Sequence, residues 1–499
     1  MTVAAQNFGH TTPSFITAAP KGLLIDGKWV AASSGETRET FNPTTGKVLG
    51  HYSLANAHDV DVAVAAARSA LEGPWGRFTP ADRQRVILKL ADLIDQNYDE
   101  LSLIDTLDMG VPIAFSRMLR TLVTDTFRYA AARAVTISGQ TLANSLPGDI
   151  ISYTVKEPVG VVGGIIPWNG PVFNATWKLA PVLASGCTMV LKCAEQASYS
   201  PLRLGELCLE AGIPPGVINV ITGLGSVAGA ALAAHPGVDK VSFTGSTATG
   251  RRIVEASGVN FKRLTLELGG KSPNIVFADA NLDEAVPGAA MGVFANSGQV
   301  CSAGTRLYVE RSIYDEFTEK VAAFARMLKV GNSLDPTTQI GPLVSADQLK
   351  RVVGYLEAGA SEGARAIAGG ARTTDGALAE GYFVPPTVFN NVKADMRIAR
   401  EEIFGPVISA IPFDDLDEVA QAANDTTYGL GSGVWTRDIS RAHSLSRRIK
   451  AGTVWINCYQ AMDPAVPFGG YKMSGYGREG GPQHIEEFLS TKSVWIKTG

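Results

Sequence analysis

No charge of either sign dominates this chain. Its 44 lysines and arginines stand against 48 acidic residues, a net charge of −4, and no basic run is present that could neutralise successive phosphates or anionic headgroups. Nucleic acid and membrane surfaces are therefore not its expected partners. Long apolar runs are missing too, and without about eighteen apolar residues in a row a spanning helix is excluded. The first twenty residues, Met1 to Pro20, hold neither a basic stretch nor an unbroken apolar core, so they read as a loose tail and not an export signal. Cysteine is scarce: five residues at 187, 193, 208, 301 and 458, with no CxxC spacing and no histidine pairing beside them. That pattern argues against a disulfide framework and a zinc site, and it suits reduced thiols in a cytoplasm. No metal is expected.

What is present is apolar substance. With 499 residues, 45% hydrophobic and 18% charged, the chain exceeds one compact domain, and two or three are expected. Gly22 to Val30 (GLLIDGKWV) reads as a hairpin, and amphipathic stretches follow around 57–72, 80–106 and 111–137. From Ile151 short apolar runs alternate with helical segments: VGVVGGIIPW, TMVLKC, VINVIT, DKVSFT and RLTLEL. Apolar strands separated by helices predict parallel βαβ units. A second alternation starts near Lys271, after ELGGKSP, whose paired glycines and proline suit a linker, with helices over Ile313–Leu328 and Ile439–Lys450. Two β-prone pieces, 131–150 and 483–499, belong to neither series and could pair with each other or across a subunit interface. The predicted fold is α/β. A Rossmann-like parallel-sheet domain (20–130 and 151–268) is joined to a second α/β domain (269–482) and a small β arm (131–150 and 483–499).

Several residues carry possible chemistry. Cys301 lies between a predicted helix and a strand in NSGQVCSAGTR. A cysteine is ordinarily a small buried hydrophobe, but flanking glycines permit close approach of a ligand and limit apolar burial. Glu267 ends an apolar run just before two glycines. At a strand end such a residue is either solvated surface or, at the carboxyl edge of a parallel sheet, faces the ligand crevice. Burial there would raise its pKa and suit it to general base work. Asn169, in IIPWNGP, suits a helix N-cap or an amide donor to an oxyanion. Gly245 and Ser246, in GSTATG after the strand KVSFT, would open a helix whose N–H groups favour phosphate, although GxGxxG is absent. Lys192 and Glu195 follow a neighbouring strand and read as surface charges or as partners of ribose hydroxyls, Glu195 repelling a 2′-phosphate.

In this order the segments PWNGP, LELGGKSP, GQVCSAGTR, EEIFGPV and PFGGYKMSGYGREGG resemble the aldehyde dehydrogenase superfamily, in particular its non-acylating, NAD-preferring members. The resemblance runs from about Gly22 to the end. It implies an NAD-dependent oxidoreductase in which the Cys301 thiolate attacks an aldehyde, Asn169 and the Cys301 N–H hold the oxyanion, and Glu267 activates water against the thioester. Lys178 and Glu479 match the positions that help to move protons. Ile166, Pro167, Trp168, Lys192, Glu195, Gly245, Ser246, Glu402 and Phe404 match cofactor positions. The resemblance also implies dimers or tetramers, with the β arm as the contact.

This chain departs from the common pattern in places. Cys193 replaces the proline usual after the cofactor lysine, which leaves NADP possible beside NAD. Ser297 stands where glutamine is frequent, and Gly170 where many relatives carry an aromatic. Loss of that bulk should widen the substrate tunnel, with Val172, Phe173, Trp177, Phe294, Met462 and Phe468 as its walls. The segment INCYQAMDPAVPFGG resembles aryl-, terpenoid- and phenylacetaldehyde dehydrogenases, and implies a fairly large apolar aldehyde. Two other readings remain. A coenzyme A-dependent acylating enzyme would have no need of Glu267, and a non-catalytic structural or ligand-binding protein on the same fold would not need Cys301, Glu267 and Asn169 together.

Overall fold

The computed structural model describes residues 12–498. Its first sheet has eight strands. Five are parallel, in the spatial order Arg263–Glu267, Lys240–Thr244, Val161–Ile165, Thr188–Lys192 and Ile218–Ile221. The strands from 161 to 221 are buried along their whole length, which is why they read as unbroken apolar runs. The hairpin Leu23–Ile25 and Lys28–Val30 adds antiparallel strands at one edge, and Gly475–Tyr476 adds one at the other. Because chain order reverses around Val161–Ile165, a crevice opens at the carboxyl ends of that strand and its two neighbours. Ile166 and Gly245 follow those ends directly, and Lys192 is the last residue of its strand.

The second sheet has seven strands in the order Arg365–Ala368, Thr387–Asn390, Val407–Phe413, Arg306–Glu310, Pro273–Val276, Gly431–Trp435 and Thr453–Ile456, parallel except for the first. Each sheet has its own apolar core, the second built on the helices Leu282–Phe294 and Tyr314–Met327.

Four local readings are corrected. Ile150–Pro158 does not open the parallel sheet; it pairs antiparallel with Leu489–Lys497 over nine residues, and Thr141–Leu142 flanks it. The two outlying β-prone pieces thus meet through a third strand, while Arg120–Ala134 remains helical. The stretch 80–106 is two helices, Pro80–Gln96 and Tyr98–Met109, because the Asn97 side chain donates to the Leu93 carbonyl at 2.7 Å and ends the first. The stretch 111–137 likewise divides into Ile113–Met118 and Arg120–Ala134. Of the segment read as a loose tail, residues 1–11 lie outside the described residues, and Phe15 and Ile16 are buried, Phe15 packing on Trp29 and Tyr199.

Candidate active site

Cys301 is delivered by a tight loop between Leu282–Phe294 and Arg306–Glu310. Asn296, Ser297 and Gly298 all have left-handed backbones, with φ of 50°, 56° and 72°. Two non-glycine residues in that region store strain of about 1–3 kcal/mol each, held only because neighbours over-determine the loop. The Asn296 amide donates to the Asn169 carbonyl at 2.8 Å, and Ser297 Oγ donates to the Gly341 carbonyl at 2.8 Å. Gln299 Oε1 accepts from the Val344 N–H at 2.9 Å, and Tyr459 Oη donates to the Ser302 carbonyl at 2.8 Å. Of these fastening residues Asn296, Gln299 and Tyr459 were not singled out from sequence, and Ser297 was noted only as a departure from a frequent glutamine, because a polar residue beside a cysteine gives no sign of its partner.

Asn169 does not cap a helix. The cap position of Pro171–Ser185 is Gly170, without a side-chain bond, and Asn169 Nδ2 donates to the Gln299 carbonyl at 2.9 Å. One N–H thus ties Asn169 to the cysteine loop, and the amide retains its second N–H.

Glu267, 4% exposed, ends its strand with neither carboxylate oxygen hydrogen-bonded. Burial, and then the Glu479 carboxylate, raise its pKa well above the usual range, against the opposing pull of Lys178 and Arg478. Lys178 and Glu479 form a very short buried ion pair. The two glycines after Glu267, expected as a linker, answer a packing need. A Cβ on Gly269 would overlap the Glu402 carboxylate, and one on Gly270 the Cys301 carbonyl. The Gly270 N–H also donates to Glu402 Oε1 at 3.0 Å.

The Cys301 thiol differs from the expected setting. It is half-buried, and burial, followed by the Glu267 and Glu402 carboxylates, pushes it up to about 12. At neutral pH the resting sulfur is therefore a thiol that needs a proton acceptor to become a nucleophile. Glu267, close enough to act on it electrostatically and held at a high pKa, is matched to that task.

The residues matching cofactor positions gather along the crevice. Lys192 Nζ lies 3.7 Å from Glu195 Oε1, and the Gly225 N–H donates to Glu195 Oε1 through a very short bond. Cys193 is fully buried behind them. Ser246 caps the helix Thr247–Ala256, accepting from the Thr249 N–H. The Gly245 N–H is already donated to the Glu267 carbonyl at 3.0 Å, so a phosphate can look only to the turn from Ser246 onward. Half-buried Trp168, following Ile166 and Pro167, meets the Phe404 ring edge-on at 5.3 Å.

Of the expected tunnel walls, Phe173 and Trp177 meet edge-on at 5.6 Å, and Met462 and Phe468 are half-buried. Phe468 is fixed beside Glu479 by paired backbone hydrogen bonds of 2.6 and 2.8 Å. Phe294 and Val172 are corrected: both belong to apolar cores, because each falls on the inward face of its helix.

Comparison with known proteins agrees with this geometry. The family model described as "Aldehyde dehydrogenase family" matches residues 29–494. "Aldehyde dehydrogenase, mitochondrial" of Rattus norvegicus is 46% identical over 479 residues, 95% of this chain and 91% of that protein. Among solved structures, an NAD+ complex of aldehyde dehydrogenase from Bacillus cereus is 46% identical with a TM-score of 0.94, covering 96% of this chain and 97% of that one. A mutant of the P. syringae AldA indole-3-acetaldehyde dehydrogenase, in complex with NAD+ and IAA, is 42% identical with a TM-score of 0.94, covering 97% of each chain. The fold is shared across nearly the whole length, and the chain belongs to the aldehyde dehydrogenase family.

Proposed function

We propose that this enzyme oxidises an aldehyde to the carboxylic acid with NAD through a thioester on Cys301. The observation that carries it is a buried, unpartnered carboxylate, Glu267, acting electrostatically on a protonated thiol. Lys192, Glu195, Ser246, Glu402, Trp168 and Phe404 would hold the cofactor; the position of Trp168, Lys192, Glu195 and Ser246 at the carboxyl ends of the first sheet's strands, the contacts of Glu402 with Gly270 and of Phe404 with Trp168, and the NAD+ complex of the Bacillus cereus relative support that assignment. When bound, NAD supplies the hydride acceptor.

The chain's own residues do the rest. Glu267 takes the Cys301 proton and the sulfur attacks the carbonyl carbon, while the second Asn169 N–H and the Cys301 N–H receive the oxyanion. After the hydride has left, a thioester remains on Cys301. Glu267 first passes the Cys301 proton to the Lys178–Glu479 pair; it then takes a proton from water, the water oxygen attacks the thioester, and the acid departs as the carbon–sulfur bond breaks and the sulfur leaves as a thiolate. The Lys178–Glu479 pair carries that proton onward.

We infer a fairly large, apolar aldehyde of the aryl- or terpenoid-type as substrate. At Gly170 a Cβ would meet nothing nearer than Asn174 Nδ2 at 3.4 Å, so the backbone would accept a side chain. Its absence leaves room beside Phe173. The indole-3-acetaldehyde activity named for the P. syringae relative is of the same class. A panel of aldehydes run with NAD and NADP tests this: kcat/KM should favour phenylacetaldehyde and citral, and Gly170→Phe should reverse the order. Preference for acetaldehyde or betaine aldehyde would overturn it.

The first sheet unit (20–130 and 151–268, less the strand that ends at Pro158) is assigned to the cofactor and the second (269–482) to catalysis. The arm (131–150 and 483–499), extended to take in Ile150–Pro158, is assigned to association into dimers or tetramers. Leu142, Leu146, Ile151, Trp495 and Ile496 are exposed on it, as an unpaired contact surface requires. No helix among the described residues is long and apolar enough to cross a membrane, and the five free cysteines suit a cytoplasm.

A further inference from the structure

Lys240 is a fully buried lysine that the reaction described above does not use. It opens the strand Lys240–Thr244, and its stem runs along the sheet to donate from Nζ to Thr265 Oγ1 at 2.5 Å. Thr265 stands two residues before Glu267 on the neighbouring strand. Side chains two apart share one face of a strand, about 6.5 Å from each other. The Lys240 amine therefore reaches the face that carries Glu267, one position below it. From the helix Pro171–Ser185, Lys178 approaches both, its charge acting on Glu267 and on Lys240.

The carboxylate that pairs with Lys240 leads outward. Glu487 Oε2 lies 3.7 Å from the buried Nζ, and the Glu487 side chain is 34% exposed. Aromatic rings close in around the lysine: Phe488 faces Nζ at 5.0 Å, and His484 packs on Phe488 at 5.7 Å and on Trp177 at 5.9 Å. Burial holds the Lys240 pKa down to about 8; Glu487 and Cys187 oppose the shift, and Lys178 and Arg263 add to it. Near neutral pH Lys240 is thus able to give up its proton, which an arginine in its place could not do.

We propose that Lys240 and Glu487 are the exit of the proton path that begins at Glu267, positioning residues that drain the Lys178–Glu479 pair to solvent. The inference rests on the dehydrogenase reading, in which Glu267 must shed the Cys301 proton before it can activate water. Once the pair has taken that proton it bears one more positive charge. That charge drives the Lys240 proton onto the Glu487 carboxylate, from which water removes it. The amine left on Lys240 then receives a proton from the Lys178 ammonium, and all four groups regain their starting charge. The proton so leaves on the side away from the aldehyde, while acyl group and cofactor fill the catalytic crevice.

The test mixes full-length enzyme with NAD and phenylacetaldehyde in weakly buffered solution and follows NADH together with a pH-indicator dye. Lys240→Met strands no buried charge, because Glu487 is partly exposed. In that variant the NADH burst should keep the wild-type rate, whereas proton release during the burst and the deacylation after it should slow at least about tenfold. Lys240→Arg, which keeps the charge but holds its proton, should slow both in the same way. Glu487→Gln, a conservative change at a partly exposed position, removes the outer acceptor and should also delay proton release. Wild-type proton release and deacylation in Lys240→Met or in Glu487→Gln would overturn the proposal. So would full rescue by arginine, or a burst slowed as much as deacylation, since either marks a structural role. The wild-type burst is the control: its absence defeats the dehydrogenase reading itself, while a normal burst with unaltered proton release in the variants removes only the exit.

Discussion

Replacing Glu479 with glutamine should change both the stability of this enzyme and the pH at which its thioester is hydrolysed. Lys178 and Glu479 are paired with side chains 0% and 8% exposed. Neutralising one partner leaves the Lys178 ammonium buried and uncompensated, which costs about 3–5 kcal/mol. The Glu479 carboxylate also raises the Glu267 pKa, while Lys178 lowers it. In Glu479→Gln the raising influence is gone and the lowering one is unopposed, so Glu267 ionises at lower pH. Hydrolysis needs ionised Glu267, and the acid limb of the deacylation profile must therefore move to lower pH. Urea denaturation measures the first effect, and single-turnover acyl hydrolysis across pH measures the second. The double variant Lys178→Met/Glu479→Leu should recover most of the lost stability, since no charge is then stranded. An acid limb that stays in place or moves upward, or a stability loss below about 1 kcal/mol, well under that expected for a broken buried pair, would refute the reasoning.

Other outcomes follow from the same structure. Glu195→Gln removes the carboxylate beside Lys192 and with it the repulsion of a 2′-phosphate, so kcat/KM with NADP relative to NAD should rise at least about tenfold; an unchanged ratio would show that Glu195 does not set the preference. Burial pushes the Asp105 carboxyl up to about 7 and Asp108 up to about 6, whereas unfolded aspartates ionise near about 3.9. Between those values the native state holds more protons than the unfolded one. Stability should therefore fall as pH rises from about 4 to 7, a trend that melting curves would follow and that Asp105→Asn should flatten. A rise in stability over that window, after allowance for other groups by the variant, would contradict the assignment.

The parts of this molecule legible in its sequence are those fixed by short-range pattern. Val161–Ile165, Thr188–Lys192 and Ile218–Ile221 are unbroken apolar strands because parallel sheets are covered on both faces. Cys301, Glu267 and Asn169 stand in motifs whose order along the chain carries the family resemblance, and the structure brings all three to one place. What escaped depends on partners distant in sequence. Nothing around Ile150 announces nine residues of pairing with Leu489–Lys497, more than 300 positions away. Phe294 is apolar beside a reactive loop, so its sequence position alone suggested a tunnel wall, yet helix phase turns it into the core. The high pKa of the Cys301 thiol was hidden for a similar reason: small polar neighbours in sequence do not reveal that burial and two remote carboxylates enclose the sulfur. Gly269 and Gly270 read as a linker, and they do join Glu267 of the first sheet to Pro273 of the second, but their sequence does not reveal that the Glu402 carboxylate and the Cys301 carbonyl crowd the space beside them.

The central claim is that Glu267 hydrolyses an acyl group carried by Cys301. It is tested most directly by mixing Glu267→Gln enzyme with NAD and phenylacetaldehyde and taking the intact mass of the protein during the NADH burst. The account predicts one NADH per active site, formed more slowly than in the wild type because the Cys301 thiol has lost its proton acceptor, a single phenylacetyl adduct that maps to Cys301, and slow turnover thereafter. Steady turnover at the wild-type rate, or an adduct on any other cysteine, would contradict it.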